Sequence, residues 1–284
     1  MKLSILLQYL LPKQAITGLA GKLANLRGGA TTTKVIAWFV QRYQVNMAEA
    51  ANPDISSYAT FNDFFTRPLK ANARPIEDAD FICPVDGGIS QLGNIKQDQI
   101  IQAKNHHYSS LTLLAGNQAL ANKFHNGSFA CLYLSPKDYH RIHMPCDGTL
   151  KSMAYVPGDL FSVNPNTAAN VPNLFARNER VVCEFESAQH GTIVMVLVGA
   201  TIVGSMATVW HDSPNKVINP PRSKNIRTWS YENISLKKGD EMGRFLLGST
   251  VVMLFEKDAL QFNSDWQPAR AIKFGEKMGS KQAY

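Results

Sequence analysis

Apolar residues in the first 47 positions recur every three or four residues, the interval at which side chains share one face of a helix. Three helices follow from that spacing: one ending at Leu11, one beginning after Pro12, and one over 33–46 carrying Ile36, Phe39, Val40 and Tyr43. Residues 52–80 are polar, marked by prolines and expected to be a connection, although they contain Phe61, Phe64 and Phe65. From Phe81 onward the pattern changes. Short β-type segments at 129–134, 148–156, 180–186, 193–198, 201–209, 245–247 and 250–255 alternate with Gly, Pro, Asn and Asp. The chain therefore reads as α+β, with a helical segment over 1–48 and a mainly antiparallel β body, with short helices, over 49–284. One stretch, 191–210, is twenty residues without a charge, long enough to cross a bilayer. Its many β-branched residues, and breaks at Gly199 and Gly204, fit two buried strands joined by a bend.

Charge adds to this outline once it is located. The net charge is +7, and residues 1–48 hold six cations (Lys2, Lys13, Lys22, Arg27, Lys34, Arg42) and no acid; the first acid is Glu49. The remainder is close to neutral. Leu3, Ile5, Leu6, Leu7, Leu10, Leu11, Ile16, Leu19, Leu23 and Leu26 are interleaved with those cations, as in a helix lying on an anionic membrane surface. The same pattern also suits an amphipathic helix packed on the body. Nucleic-acid binders spread cations over a docking face, so no nucleic-acid partner is expected. A signal peptide is disfavoured because Gln8 interrupts the apolar start, Pro12-Lys13 ends it, and further cations follow. At 284 residues and 45% hydrophobic the chain can bury one large core. Its four cysteines include no Cys-x-x-Cys pair, which argues against a zinc knuckle or a thioredoxin motif and favours a reducing compartment.

Candidate chemistry is concentrated in three places. Gly248-Ser249 interrupts an apolar strand, and glycine there marks a bulge or a close backbone approach. His140 and His143 fall within four residues of each other, between Asp138 and Pro145. Asp86 occupies an Asp-Gly turn, and Pro84-Val85-Asp86-Gly87-Gly88-Ile89 is echoed by Pro145-Cys146-Asp147-Gly148-Thr149-Leu150. That echo fits two similar turns or a duplicated strand–turn unit like those of biotinyl and lipoyl carriers. Asp86, a histidine and Ser249 together allow Asp–His–Ser chemistry, in which an imidazole takes the serine proton and a carboxylate fixes its tautomer. No Gly-x-Ser-x-Gly elbow supports a hydrolase. His140-x-x-His143-x-x-Cys146 offers three metal ligands, but Pro145 opposes the helix they need, so no metal is expected.

Longer strings carry a family resemblance. Phe61-Asn62-Asp63-Phe64-Phe65-Thr66-Arg67-Pro68-Leu69, Pro84-Val85-Asp86-Gly87, Asp138-Tyr139-His140-Arg141-Ile142-His143-Met144-Pro145 and Val156-Pro157-Gly158-Asp159-Leu160-Phe161-Ser162-Val163-Asn164 come in order. They are followed by Asn173-Leu174-Phe175-Ala176-Arg177-Asn178-Glu179-Arg180, Glu241-Met242-Gly243-Arg244-Phe245 and Leu247-Gly248-Ser249-Thr250. Together they resemble the bacterial-type, membrane-associated phosphatidylserine decarboxylases.

The resemblance implies a pyruvoyl-dependent carboxy-lyase that forms phosphatidylethanolamine and CO2 through a Schiff base with a self-made pyruvoyl group. Ser249 Oγ would attack the Gly248 carbonyl in an N-to-O acyl shift. β-Elimination and hydrolysis would then release an upstream chain, 1–248, from a downstream chain, 249–284, capped by pyruvoyl. By the same resemblance His143 is the base for Ser249, Asp86 orients it, and His140 handles the proton delivered to the α-carbon. Ser162 and Asn164 are candidates for the headgroup phosphate, with loop capping as the equal alternative. The implied partners are phosphatidylserine, an anionic membrane surface, the two cleaved chains and a second copy in a homodimer. The implied location is the cytoplasmic side of the cell membrane, held peripherally. A non-enzymatic or unprocessed lipid-binding relative, or a decarboxylase of another amino-acid substrate, are the alternatives.

Overall fold

The computed structural model describes residues 3–103, 106–201, 206–211, 225–246 and 250–282; Gly248 and Ser249 lie outside the described residues. Helix α1 (Leu3–Leu10) and helix α2 (Lys13–Ala24) are separated at Pro12, whose ring cannot continue a helix. Helix α3 (Ala30–Tyr43) starts after Gly29 at φ 54° and stops at Gln44, whose left-handed φ of 55° turns its N–H onto the Val40 carbonyl. Within the expected connection a short helix, α4 (Phe61–Phe65), forms because Thr60 and Asp63 cap each other's backbone N–H groups.

The body is built on a nine-stranded antiparallel sheet. Its order is Arg227–Ser230, Gly148–Val156, Arg180–Ser187, Gly191–Val198, Thr250–Phe255, Ser128–Tyr133, Gly87–Asn94 and Ala271–Ile272, with Ser235–Leu236 added beside Gly148–Val156. Its middle strands are buried on both faces, and a strand's period of two separates their side chains into two cores. Ile193, Met195, Leu197, Val251, Met253 and Phe255 face one core; Val194, Val196, Val198, Val252 and Leu254 face the other. This two-sided burial explains the charge-free stretch after Gly191, whose first part is a strand. Among the described residues no helix is long and apolar enough to cross a membrane.

A three-stranded layer of Met206–Thr208, Glu241–Phe245 and Arg141–His143 contributes Met206, Ile142, Met242 and Phe245 to the first core. The strand expected at 245–247 thus begins earlier, at Glu241, and is described as far as Phe245, with position 247 outside the described residues. Glu241 and Arg244 disguised it, because their charges are neutralised in place by an ion pair with each other and one from Glu241 to Arg141.

The weak sequence echo is a structural duplication. Ile82 N–H donates to the Pro145 carbonyl, and its counterpart His143 N–H donates to the Pro84 carbonyl, both at 2.9 Å. Each turn is closed by a second repeated unit, Lys237-Lys238-Gly239-Asp240-Glu241-Met242-Gly243 or Lys273-Phe274-Gly275-Glu276-Lys277-Met278-Gly279. Cys83 exchanges backbone bonds with Gly275 and Glu276, as Met144 does with Gly239 and Asp240. Gly239 and Gly275 take φ 88° and 90°, the region open to glycine. Asp86 Oδ1 accepts Phe274 N–H at 2.9 Å, and Asp147 Oδ1 accepts Lys238 N–H at 2.8 Å.

The N-terminal helices are joined to this body in two places. Ile5 of α1 lies in the second core, and Gln8 bonds both Ser162 and Thr167. Helix α3 packs Phe39 against Phe61, Phe64 and Phe65 of α4.

Candidate active site

His143 and Asp86 come together where the two repeats meet, linked through Phe274, while His140 lies beside Phe65. His143 belongs to the short Arg141–His143 strand and is buried. Its Nδ1 lies 2.8 Å from the Gly239 carbonyl, which can only accept, so Nδ1 carries the proton. Nε2 therefore holds the lone pair, and the Tyr139 hydroxyl donates to it at 3.1 Å. The Phe274 ring stacks on the imidazole at 3.7 Å, inclined by 15°. Burial lowers the His143 pKa, with the Gly239 bond opposing, so the ring is a neutral base at neutral pH.

The direct bond expected from Asp86 to His143 does not form. Arg74 holds the Asp86 carboxylate in a fork, with Nε at 3.0 and 3.1 Å and a second nitrogen at 2.5 Å, and Phe274 N–H takes the remaining capacity of Oδ1. Arg74 also reaches Glu49. Against desolvation, those two carboxylates hold its guanidinium above its ordinary pKa. A fixed guanidinium outcompetes a neutral imidazole for a carboxylate, which is why the geometry departs from the expectation. Asp86 reaches His143 through Phe274: it fixes the backbone of the residue whose ring covers the imidazole.

His140 is 0% exposed. Its Nδ1 donates to the Asp138 carbonyl at 2.8 Å, its ring lies 4.0 Å from that of Phe65, and its Nε2 has no partner. Burial pushes its pKa down to about 3, so this imidazole stays neutral. Its backbone carbonyl accepts the N–H of Phe245, the end of the strand that leads towards Gly248-Ser249. On the other side of that pair Thr250 is fully buried between Tyr133 and Val198, and its Oγ1 lacks a partner.

Ser162 and Asn164 lie elsewhere, under α1. Ser162 Oγ accepts from Asn164 Nδ2 at 2.9 Å, and Asn164 Oδ1 caps the short helix Pro165–Ala168 through Thr167 N–H at 2.9 Å. Their side chains thus do the loop capping that was the alternative to headgroup binding. His140, His143 and Cys146 do not converge either, and among the described residues no group of three such ligands could hold a metal ion. Arg74, Glu49, Tyr139, Gly239 and Phe274 escaped the sequence reading. The one available signal was that the two repeats differ there: His143 stands where the first copy has Ile82, and Phe274 where the other has Lys238.

Proteins with this sequence pattern are decarboxylases. The chain belongs to the phosphatidylserine decarboxylase family, whose sequence profile matches residues 61–280; a second profile, described as PSD, matches 3–44. Among its relatives, the phosphatidylserine decarboxylase proenzyme of Dechloromonas aromatica is 67% identical over 281 residues, covering 98% of each chain. Those of Albidiferax ferrireducens and Methylobacillus flagellatus are 66% and 64% identical; the matches cover 98% and 97% of this chain and 96% and 98% of theirs.

Proposed function

We propose that this chain is the precursor of a phosphatidylserine decarboxylase, which cuts itself between Gly248 and Ser249 and then removes CO2 to leave phosphatidylethanolamine. The observation that carries the reading is His140: a fully buried, neutral imidazole with an unpartnered Nε2, tied by its own carbonyl to the strand that leads towards the cleavage pair. Loss of CO2 leaves an electron pair on the α-carbon, and a pyruvoyl carbonyl at position 249 would supply the sink for it. Phe245 and Thr250 are fully buried on either side, and the unpartnered Thr250 hydroxyl can donate, so a carbonyl oxygen suits that position.

The roles follow from the protonation states. His140 keeps its proton on Nδ1, leaving Nε2 to take up the proton that the substrate's ammonium sheds and to pass it to the α-carbon once CO2 has left. His143 serves the cutting step: its Nε2 takes the Ser249 proton when the Tyr139 hydroxyl turns away or passes on its own proton. Gly239 fixes the tautomer, and Asp86 with Arg74 positions the Phe274 ring over the imidazole. Cutting removes the serine hydroxyl, so this second imidazole acts once.

A diacyl lipid barely leaves its bilayer, so the site must work at a membrane surface. Leu10, Leu19 and Leu23 on the first two helices, Leu26 just beyond them, and Val35 and Trp38 of α3 are exposed apolar side chains accompanied by cations and no acid. Each cation near an anionic surface adds roughly 1 kcal/mol. The reading is peripheral attachment to the cytoplasmic leaflet.

Intact masses under denaturing conditions test the proposal. Two fragments meeting at Gly248/Ser249 are expected, the smaller blocked to Edman sequencing and reactive with carbonyl reagents, together with CO2 released from phosphatidylserine. Ser249→Ala should remain one 31.4 kDa species and release none. An uncut wild-type chain, or decarboxylation by Ser249→Ala, would overturn it.

A further inference from the structure

Two arginines are equally buried and differently served. Arg180 is 3% exposed, and its nitrogens donate to four carbonyls: Thr112, Leu113 and Ala176 at 2.7 Å and Asn178 at 3.1 Å. Arg67 is also 3% exposed, yet it has only two long bonds, to the Phe64 carbonyl at 3.5 Å and the Lys137 carbonyl at 3.3 Å. Its Nε has no partner. Arg74 and Arg141 have carboxylates, whereas Arg67 makes no ion pair among the described residues. The guanidinium lies 5.2 Å from the centre of the Phe64 ring, which leaves it donors to spare and no bonded counter-charge.

Its surroundings say where that charge would come from. Arg67 follows α4, whose last turn is held to the catalytic segment by Arg141 Nε on the Thr66 carbonyl, at 2.9 Å. Phe65 meets Phe39 of α3 on one side and His140 on the other, so the end of α4 joins the outward-facing helix to the buried imidazole. Asp138, Asp86 and Glu49 are near enough to act on its charge, but none bonds it: the backbone N–H and hydroxyl of Ser135 take up Asp138, both at 2.7 Å, and Arg74 takes up the other two. An unpartnered guanidinium N–H and an unpartnered imidazole nitrogen thus belong to one buried cluster.

We propose that Arg67 is the binding residue for the phosphodiester of the lipid headgroup. The assignment rests on phosphatidylserine being the substrate. That lipid carries two anions, and the chemistry chooses between them. The carboxylate loses its charge as CO2 departs, so a cation clamped on it would stabilise the ground state over the transition state and slow the reaction. The phosphodiester keeps its charge throughout, and holding it fixes the lipid without opposing the chemistry.

Steady-state decarboxylation in mixed micelles tests this with Arg67→Gln and Arg67→Lys. Losing a charge-assisted contact should raise KM roughly 10- to 100-fold in Arg67→Gln while kcat stays within about threefold, and Arg67→Lys should recover part of the loss. Both variants should cut themselves as the wild type does, which reads folding separately from binding. Glycerophosphocholine, a phosphodiester without carboxylate or primary amine, should inhibit the wild type and lose its effect on Arg67→Gln. N-acetylserine, a carboxylate without phosphate, should act on both proteins alike. An unchanged KM, a failure of both variants to cut, or lost sensitivity to N-acetylserine in place of glycerophosphocholine would overturn the assignment. A wild type that cuts itself but releases no CO2 from phosphatidylserine would instead refute the substrate, whatever Arg67 does.

Discussion

Asp86 and Asp147 accept the same backbone bond in two copies of one turn, yet only Asp86 is gripped by Arg74 and only its partner residue, Phe274, covers an imidazole. The difference separates architecture from chemistry. Asp86→Asn should slow self-cutting at least about tenfold, because it loses a charge-assisted fork and loosens Phe274. Asp147→Asn, which breaks the equivalent exposed turn, should cut at the wild-type rate; denaturing gels of timed samples compare them. His140 predicts a pH effect on stability. Its folded pKa of about 3 lies below the unfolded value of 6.5. As pH falls below 6.5 the unfolded chain takes up a proton that the folded chain refuses until near pH 3. Stability therefore declines on acidification through that window, by up to about 1.4 kcal/mol per pH unit, and is unaffected above it. Urea midpoints at pH 7 and pH 5 should converge when His140→Phe is placed in the uncut Ser249→Ala chain.

Among the elements, those buried on both faces were the most legible in the sequence. Ser128–Tyr133, Arg180–Ser187, Gly191–Val198 and Thr250–Phe255 coincide with the apolar runs, because no solvent-facing side chain interrupts them for long. Glu241–Phe245 was hidden by charges that pair only in three dimensions. The matching 237–243 and 273–279 units were hidden too, since they share only Lys, Gly, Met and Gly at fixed intervals and differ between. The site was half legible for the same reason. His140, His143 and Asp86 stand out as residue types, whereas Gly239 and the backbone of Phe274 act through groups that every residue has. The two repeat glycines also differ in tolerance. A Cβ on Gly275 would strike the Pro75 carbonyl oxygen, while one on Gly239 would meet only the tip of Ile76 at 3.3 Å. Both have left-handed φ, so Gly239→Ala should cost about 1 kcal/mol and Gly275→Ala at least about 2–3 kcal/mol, read as urea midpoints.

For the molecule as a whole, the basic N-terminal helices present an apolar surface outward while Ile5, Gln8 and Phe39 anchor them inward. The sequence showed the amphipathic spacing but not which leucines the body leaves uncovered. Trp38, 57% exposed on α3, is a built-in reporter. Its emission should shift to the blue when vesicles containing anionic lipid are added, and less so in high salt. Replacing Leu10, Leu19 and Leu23 by Ser should weaken vesicle binding by at least about tenfold, since each removes a side chain able to enter the interface. The position of Thr250–Phe255 has a different consequence. All six of its residues pair with Gly191–Val198 on one side and Ser128–Tyr133 on the other, in the middle of the large sheet. Before the cut this strand is tethered to its partners, and the fold re-forms at any dilution. With the proposed cut at Gly248/Ser249 the same strand would be a separate molecule, and re-forming the sheet would become a second-order event that dilution opposes. Maturation by that cut would work as a ratchet: the precursor could unfold and recover, whereas the working enzyme, once opened at low concentration, would have lost the covalent memory of how its centre was assembled.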